Sequence, residues 1–236
     1  MFGGWRRLGA ECLGTGVLVA AVVGSGIMAT RLTHDLALAL LINALSTVAA
    51  LGVLIWALGP VSGAHFNPAV SLVAALRREM GAAESAGYIG AQIIGALLGV
   101  ALANLMFGLP PWQASTHHRT HPGVWLGEVV ATAGLLFVIG ALTRTGHGHL
   151  GPVLVPAWIG SAYFFTASTS FANPAVTIGR SLTNTFAGIA PVNVPAFIGF
   201  QLLGAFVGAG LTDLMYPRPA RGAEPLDLPE AIHDHP

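Results

Sequence analysis

The tetrapeptide Asn-Pro-Ala-Val occurs twice, at Asn67 to Val70 and at Asn173 to Val176, each time inside strongly apolar sequence. Asparagine is a preferred helix N-cap because its side-chain carbonyl accepts from the first free N–H groups. Proline suits the first helical position because the N–H it lacks would have no partner there. Each copy therefore marks the abrupt start of a helix, in a stretch where a chain crossing lipid has no reason to start one. Helix N-termini within a bilayer are tolerated where they face a polar cavity, since each unpaired N–H left in lipid costs several kcal/mol. Two such ends can line a pore.

Of 236 residues, 54% are hydrophobic and 8% charged, where a soluble domain carries roughly 25% charged residues. The chain reads as an all-α integral membrane protein whose partner is the lipid bilayer. Ten basic residues, all arginine, balance ten acidic ones, so net charge points neither to nucleic acid nor to an acidic substrate. Cys12 is the sole cysteine, which excludes an intramolecular disulfide and a cysteine-cluster metal site. Arg6 and Arg7 precede the first apolar run, but no small-residue cleavage site follows it, so that run is read as a retained span and not a signal peptide.

Apolar stretches of about 20 residues, the length that crosses a bilayer, fall near 8–29, 36–58, 84–107, 124–143, 151–169 and 194–215. They predict six transmembrane helices. The two Asn-Pro-Ala copies lie in segments near 62–77 and 169–184, too short to cross and read as re-entrant half-helices. A channel domain is expected over 1–216, with repeat one about 8–107 and repeat two about 124–215, and a mobile tail over 217–236. The repeat is visible residue by residue. Ile89 to Gly99 aligns with Ile198 to Gly208 with six identities in eleven positions at an offset of 109, and Glu11 with Thr15 matches Glu128 with Thr132. Three spans per half force the second copy to insert upside down. The two half-helices must then enter from opposite faces, and their N-termini meet near the midplane.

With a cytoplasmic N-terminus, Arg6, Arg7, Arg77, Arg78, Arg144, Arg218 and Arg221 lie inside, and Arg31, Arg119 and Arg180 outside. That asymmetry obeys the positive-inside rule and puts both termini in the cytoplasm.

The doubled Asn-Pro-Ala, the repeated Glu and Thr of spans one and four, and the Gln-Xaa-Xaa-Gly of spans three and six resemble the aquaporin and aquaglyceroporin family of major intrinsic proteins. The resemblance covers roughly residues 8–215. It implies six tilted helices and two half-helices around each pore, a homotetramer with one pore per subunit, no cofactor, and a place in a cell membrane, the inner membrane for a bacterial chain. Asn173 to Thr177 followed by Arg180-Ser181-Leu182-Thr183 resembles a bacterial branch of aquaglyceroporins associated with arsenic resistance.

Two half-helix N-termini each carry about half a positive charge, so the midplane repels cations and turns a solute's oxygen inward. The amides of Asn67 and Asn173 are placed to donate to that oxygen, with Pro68, Ala69, Pro174 and Ala175 completing the motifs. Such a pore favours uncharged solutes. Glu11 and Glu128 are acids inside spans, where a charge needs a partner. The resemblance and their symmetry imply that each accepts hydrogen bonds from the backbone of a re-entrant segment; a proton relay is the alternative.

The family's spacing from the two motifs places a selectivity ring at Thr47, Ser161, Ser170 and Val176. Members usually carry arginine directly after the second Asn-Pro-Ala, and water-selective ones add aromatic or histidine side chains. Here Val176 takes that place and no expected ring member is aromatic or charged, which predicts a wide opening for glycerol, urea and trihydroxy metalloids such as arsenite. Strict water selectivity is the runner-up. Arg180 shares a helix face with Val176; it either supplies positive charge to an outer vestibule or anchors the outer loop through backbone carbonyls. Family members blocked by mercurials often carry cysteine at the position of Ser170, whereas Cys12 is expected away from the lumen.

His117, His118 and His121 share an external loop and His147 with His149 an internal one. They read as solvated histidines, with metal binding or pH gating as alternatives. His65 is expected at the cytoplasmic pore mouth. Two other classes remain as alternatives. A proton-coupled transporter needs an ionisable group at its substrate site, for which Glu11 and Glu128 are the candidates, and an enzyme lacks a Ser/His/Asp set or metal-ligand spacing at one depth.

Overall fold

In a computed structural model, residues 3–217 are described. The tail expected from 217 to 236 therefore lies, save for Pro217, outside the described residues, as do Arg218 and Arg221. Six longer helices are α1 (Gly4–Leu32), α2 (Leu36–Ser62), α4 (Ala82–Met106), α5 (Pro122–Arg144), α6 (Gly151–Phe165) and α8 (Val194–Met215). Two short ones, α3 (Pro68–Leu76) and α7 (Pro174–Arg180), begin at the Asn-Pro pairs. At 9 and 7 residues they rise about 14 and 10 Å, against a hydrocarbon core of about 30 Å.

Local chemistry sets the other boundaries. Asp35 Oδ1 caps α2 by accepting from the N–H of Ala37 (2.8 Å) and Leu38 (3.1 Å). The same helix ends at Gly63, whose φ of 88° is open to glycine at no steric cost. His121 Nδ1 accepts from Gly123 N–H (3.0 Å) to start α5, with Pro122 at the first position.

Among the described residues, five of the six longer helices are long and apolar enough to cross a membrane; α6 is the exception. The apolar run expected as a span to residue 169 stops being helical at Phe165. Thr166 turns extended there, and its Oγ1 donates to the Ala162 carbonyl (2.7 Å). Fifteen residues rise only about 22 Å. Residues 166–173 form an irregular approach to α7, with Thr169, Ser170 and Ala172 in the left-handed region, so hydropathy overstates the helix.

The halves interlock. α1 packs on α4 and α5 on α8 within each repeat, while α7 packs on α4 and α1 of the other half and α3 on α8. The repeated glycines make the intra-repeat contacts possible. A Cβ at Gly95 or Gly99 would overlap the carbonyl oxygens of Cys12 and Gly16, and one at Gly204 or Gly208 those of Val129 and Ala133. Small residues let backbones close to that distance, the means by which membrane helices associate without a hydrophobic drive. The core between helices holds small and branched residues such as Val19, Val23, Ala96, Val100, Ala131 and Ala205. Leu41, Leu45, Val53 and Trp56 on α2, and Leu203 and Phe206 on α8, face outward as a lipid-exposed surface requires.

Candidate functional site

The segments that lead into α3 and α7 are built alike. Ala64 and Ser170 both have φ of 51°, and Phe66 and Ala172 have φ of 48° and 47°, four left-handed non-glycine residues related by the 106-residue offset of the motifs. Each such residue costs roughly 1–2 kcal/mol. Buried carboxylates hold the strained backbone in place. Glu11 accepts from the N–H groups of His65 (3.1 Å) and Phe66 (2.7 Å), from Ser62 Oγ (2.6 Å) and from Gln92 Nε2 (2.8 Å). Glu128 accepts from the N–H groups of Phe171 (3.0 Å) and Ala172 (2.9 Å) and from Gln201 Nε2 (2.5 Å). Both are fully buried and neither lines the cavity.

The twist also aims carbonyls at the opposite motif. Asn67 Nδ2 donates to the Ala172 carbonyl and Asn173 Nδ2 to the Phe66 carbonyl, both at 2.7 Å. Their Oδ1 atoms cap their own helices, accepting from Ala69 N–H (2.9 Å), and from Ala175 (3.0 Å) and Val176 (3.2 Å) N–H. A primary amide carries two N–H bonds. One is spent bolting the two half-helices together, and one per asparagine remains for the lumen.

A cavity of about 360 Å³ runs between them. One end is lined by Arg77, Arg144, Gly148 and His65, the middle by Asn67, Val70 and Asn173, and the other end by Thr47, Tyr163, Ser170, Phe171, Val176 and Arg180, with Leu18, Val22, Leu51, Leu135 and Ile159 as apolar wall. At the first end, Arg77 and Arg144 reach the same Asp213 Oδ1, at 3.2 and 2.5 Å. His65 also borders a second cleft lined by Arg6, Arg7 and Glu79, and its Nδ1 lies 3.1 Å from Ser71 Oγ.

Of the expected ring, Thr47, Ser170 and Val176 reach the cavity and Ser161 does not. Ser161 is exposed on the outer face of α6, and its neighbours Ile159 and Tyr163 face inward. Two residues turn a helix by about 200°, so the family spacing falls on the wrong side of this span. Tyr163 brings an aromatic ring to the opening and its hydroxyl donates to Thr47 Oγ1 (3.2 Å), which in turn donates to the Asn43 carbonyl (2.8 Å). A tyrosine within an apolar span, its polar tip needing a partner, was the available sign. Ser170 borders the cavity, and its buried Oγ has no protein partner.

Arg180 makes contacts in two directions. It lines the cavity, and its Nε donates to the Ala187 carbonyl of the outer loop while its guanidinium stacks 3.4 Å from the Phe171 centroid. Around the apolar Val176, where the expected ring held no aromatic or charged member, this end carries Tyr163, Phe171 and Arg180. Cys12 is not among the lining residues. Among the described residues, no group of three or more His, Cys, Asp or Glu is placed to hold a metal ion.

The profile of the Major intrinsic protein family matches residues 2–171. Over 206 residues, 87% of this chain and 88% of the relative, the sequence is 56% identical to "Aquaglyceroporin AqpS" of Rhizobium meliloti (strain 1021). It is 33% identical over 221 residues to "Aquaporin NIP1-2" of Arabidopsis thaliana, covering 89% of this chain and 74% of that one. The fold matches the X-ray structure of the aquaglyceroporin from Plasmodium falciparum with a TM-score of 0.68 at 21% identity, over 90% of this chain and all of that one.

Proposed function

This chain belongs to the major intrinsic protein family, membrane channels and not enzymes, and on that premise we propose that it is a wide passive pore for water, glycerol, urea and trihydroxy metalloid acids such as arsenite. The observation that carries this reading is Val176. A 360 Å³ cavity passes an apolar side chain at the position directly after the second Asn-Pro-Ala, so no cationic fork narrows it there. A polyol sliding along that wall turns its carbons to Val176 and its hydroxyls to Ser170 Oγ and the free asparagine N–H bonds. Paired half-helix N-termini at the midplane disfavour cations without blocking neutral solutes. The 56% identity to a relative named an aquaglyceroporin supports the same choice over strict water selectivity.

We further assign Asn67 and Asn173 as the midplane donors, Glu11 and Glu128 as the supports of the two entry segments, His65 to the cytoplasmic mouth, and a ring of Thr47, Tyr163, Ser170 and Val176, with Arg180 outside it. Both termini are placed in the cytoplasm of a bacterial inner membrane and four subunits assemble around four pores; mass measured in detergent and protease access to tagged termini test these two statements. The solute reading is tested by stopped-flow light scattering on proteoliposomes with water, glycerol, urea and arsenite, comparing wild type with Val176→Arg at equal amounts of folded protein. The variant is expected to cut glycerol and arsenite flux far more than water flux. Proportional losses, or none, would remove Val176 from the opening and favour a water pore.

A further inference from the structure

The loop between α4 and α5 carries an arginine that the pore as assigned above does not use. Arg119 is fixed at three points: its N–H donates to Asn193 Oδ1 (3.0 Å), its Nε donates to the Gly188 carbonyl (3.0 Å), and its guanidinium carbon lies 5.2 Å from the centroid of Phe171. Arg180 occupies the same phenyl ring at 3.4 Å, and its acceptor, the Ala187 carbonyl, is the residue before Arg119's. The two loops are laced together beneath them. Gln113 and Ser115 donate from their N–H groups to the Leu182 and Ser181 carbonyls (3.1 and 3.0 Å), and Ala190 donates to His117 (2.7 Å).

Two guanidinium groups thus share one aromatic ring, and among the described residues no carboxylate lies within ion-pair distance of either; the ion pairs are Arg7 with Glu84, and Arg77 and Arg144 with Asp213. Unpaired cations next to one another are an expensive way to tie down a loop, since a neutral donor such as an amide would satisfy the same carbonyls without the desolvation. Burial pulls the Arg119 guanidinium below its ordinary range, with the Glu128 charge acting the other way. An arginine nonetheless stays protonated. The outer end of the pore therefore carries concentrated positive charge one turn and more beyond the place where Val176 supplies none.

Resting on the channel reading, the geometry points to Arg119 as a specificity-determining residue of the outer mouth: the α4–α5 loop delivers it onto Phe171, where with Arg180 it raises the barrier to cations while the bore stays wide for neutral hydroxylated solutes. Arg180 lines the lumen and Arg119 stands behind the ring, half-buried, so the two act in tiers.

The test measures guanidinium ion and glycerol uptake side by side in proteoliposomes of Arg119→Gln, Arg119→Lys and Arg119→Gln/Arg180→Gln. Removing one charge at roughly 10 Å in an effective dielectric near 20 raises the guanidinium-to-glycerol ratio on the order of tenfold in Arg119→Gln, and the double variant raises it further. Arg119→Lys keeps the charge and stays near wild type. Equal ratios in all three, with glycerol flux intact, or Lys behaving as Gln, would reduce Arg119 to a loop fastener and overturn the proposal. Thr120→Glu, at an exposed neighbour, sets a carboxylate beside the pair without touching its fastenings; it raises the ratio in the same direction, and a folded Thr120→Glu with the wild-type ratio counts against the charge argument. Wild-type vesicles that pass no glycerol would overturn the channel reading itself, which is a different result.

Discussion

His65 and Phe171 hold the same place in the two repeats, two residues before an Asn-Pro-Ala asparagine, and their N–H groups donate to equivalent buried carboxylates at 3.1 and 3.0 Å. Beyond the backbone they share nothing. His65 faces Ser71 and the edge of Tyr88 in a mouth bordered by Arg6, Arg7 and Glu79, whereas Phe171 is 4% exposed, covered by two guanidinium groups and packed on Phe197 at 5.1 Å. The contrast teaches where symmetry is binding. At the midplane, strained turns, carboxylates and cross-bonded asparagines are backbone arrangements that any side chain can decorate, so both repeats keep them. At the mouths the side chains meet different neighbours, so two copies of one backbone plan acquire a histidine at the inner end and a phenylalanine covered by two guanidinium groups at the outer one.

The strongest way to break the comparison is to attack what the halves share. Gly99→Leu and Gly208→Leu each drive a side chain into a facing carbonyl, of Gly16 and Ala133 respectively. Each is expected to destabilise by about 3 kcal/mol or more, read as a lower melting temperature in detergent and loss of folded protein from the membrane. If one half tolerates the leucine and the other does not, the repeats are not equivalent in packing either.

Sharper is the pair Glu11→Ala and Glu128→Ala. Each strands two backbone N–H groups and a glutamine amide, at about 1–3 kcal/mol per orphaned donor. His65 opens onto the cleft bordered by Arg6 and Arg7, from which solvent enters once the Glu11 carboxylate is removed, while Phe171 is covered by two guanidinium groups. Glu128→Ala should therefore lose more folded yield and more glycerol flux than Glu11→Ala; the reverse order would mean that the outer end is the wetter one.

The smallest effect separates the two flanks of the lumen. Wild-type glycerol flux should resist mercurials because Cys12 lies off the cavity, and Ser170→Cys should render it sensitive, with Ala64→Cys, its partner in the repeat, blocked less because the inner approach lacks the covering ring. Block of the unmodified protein would relocate Cys12.

Much of this was legible in the residues. The caps Asn67 and Asn173, the prolines after them and the mirrored Glu, Thr, Gln and Gly positions each act within a turn of helix or recur in register, and such signals survive without a third dimension. The misses share a cause. Ser161 was placed by counting from a motif across a helix break, and α6 ends at Phe165, four residues before its apolar run does, so the count and the rotation no longer agree and Tyr163 takes the inward side. Phe66 and Ala172, whose carbonyls bolt the half-helices together, carry no sequence mark, because a left-handed phenylalanine or alanine is imposed by its surroundings. Arg119 looked like one loop charge among others.

Composition, caps and repeats settled that this chain crosses a membrane, that its second half is inverted, and that two helix N-termini face each other at the midplane, because each follows from hydrogen bonds that must be satisfied locally or from an odd number of crossings. Which side chains look into the lumen was settled by packing. Each residue turns a helix by about 100°, and the rotation of every span is held by contacts with helices distant in sequence, Gly99 on Gly16, Gly208 on Ala133 and the outer loop laced to its neighbour, so the opening takes its chemistry from long-range fit that no short pattern records.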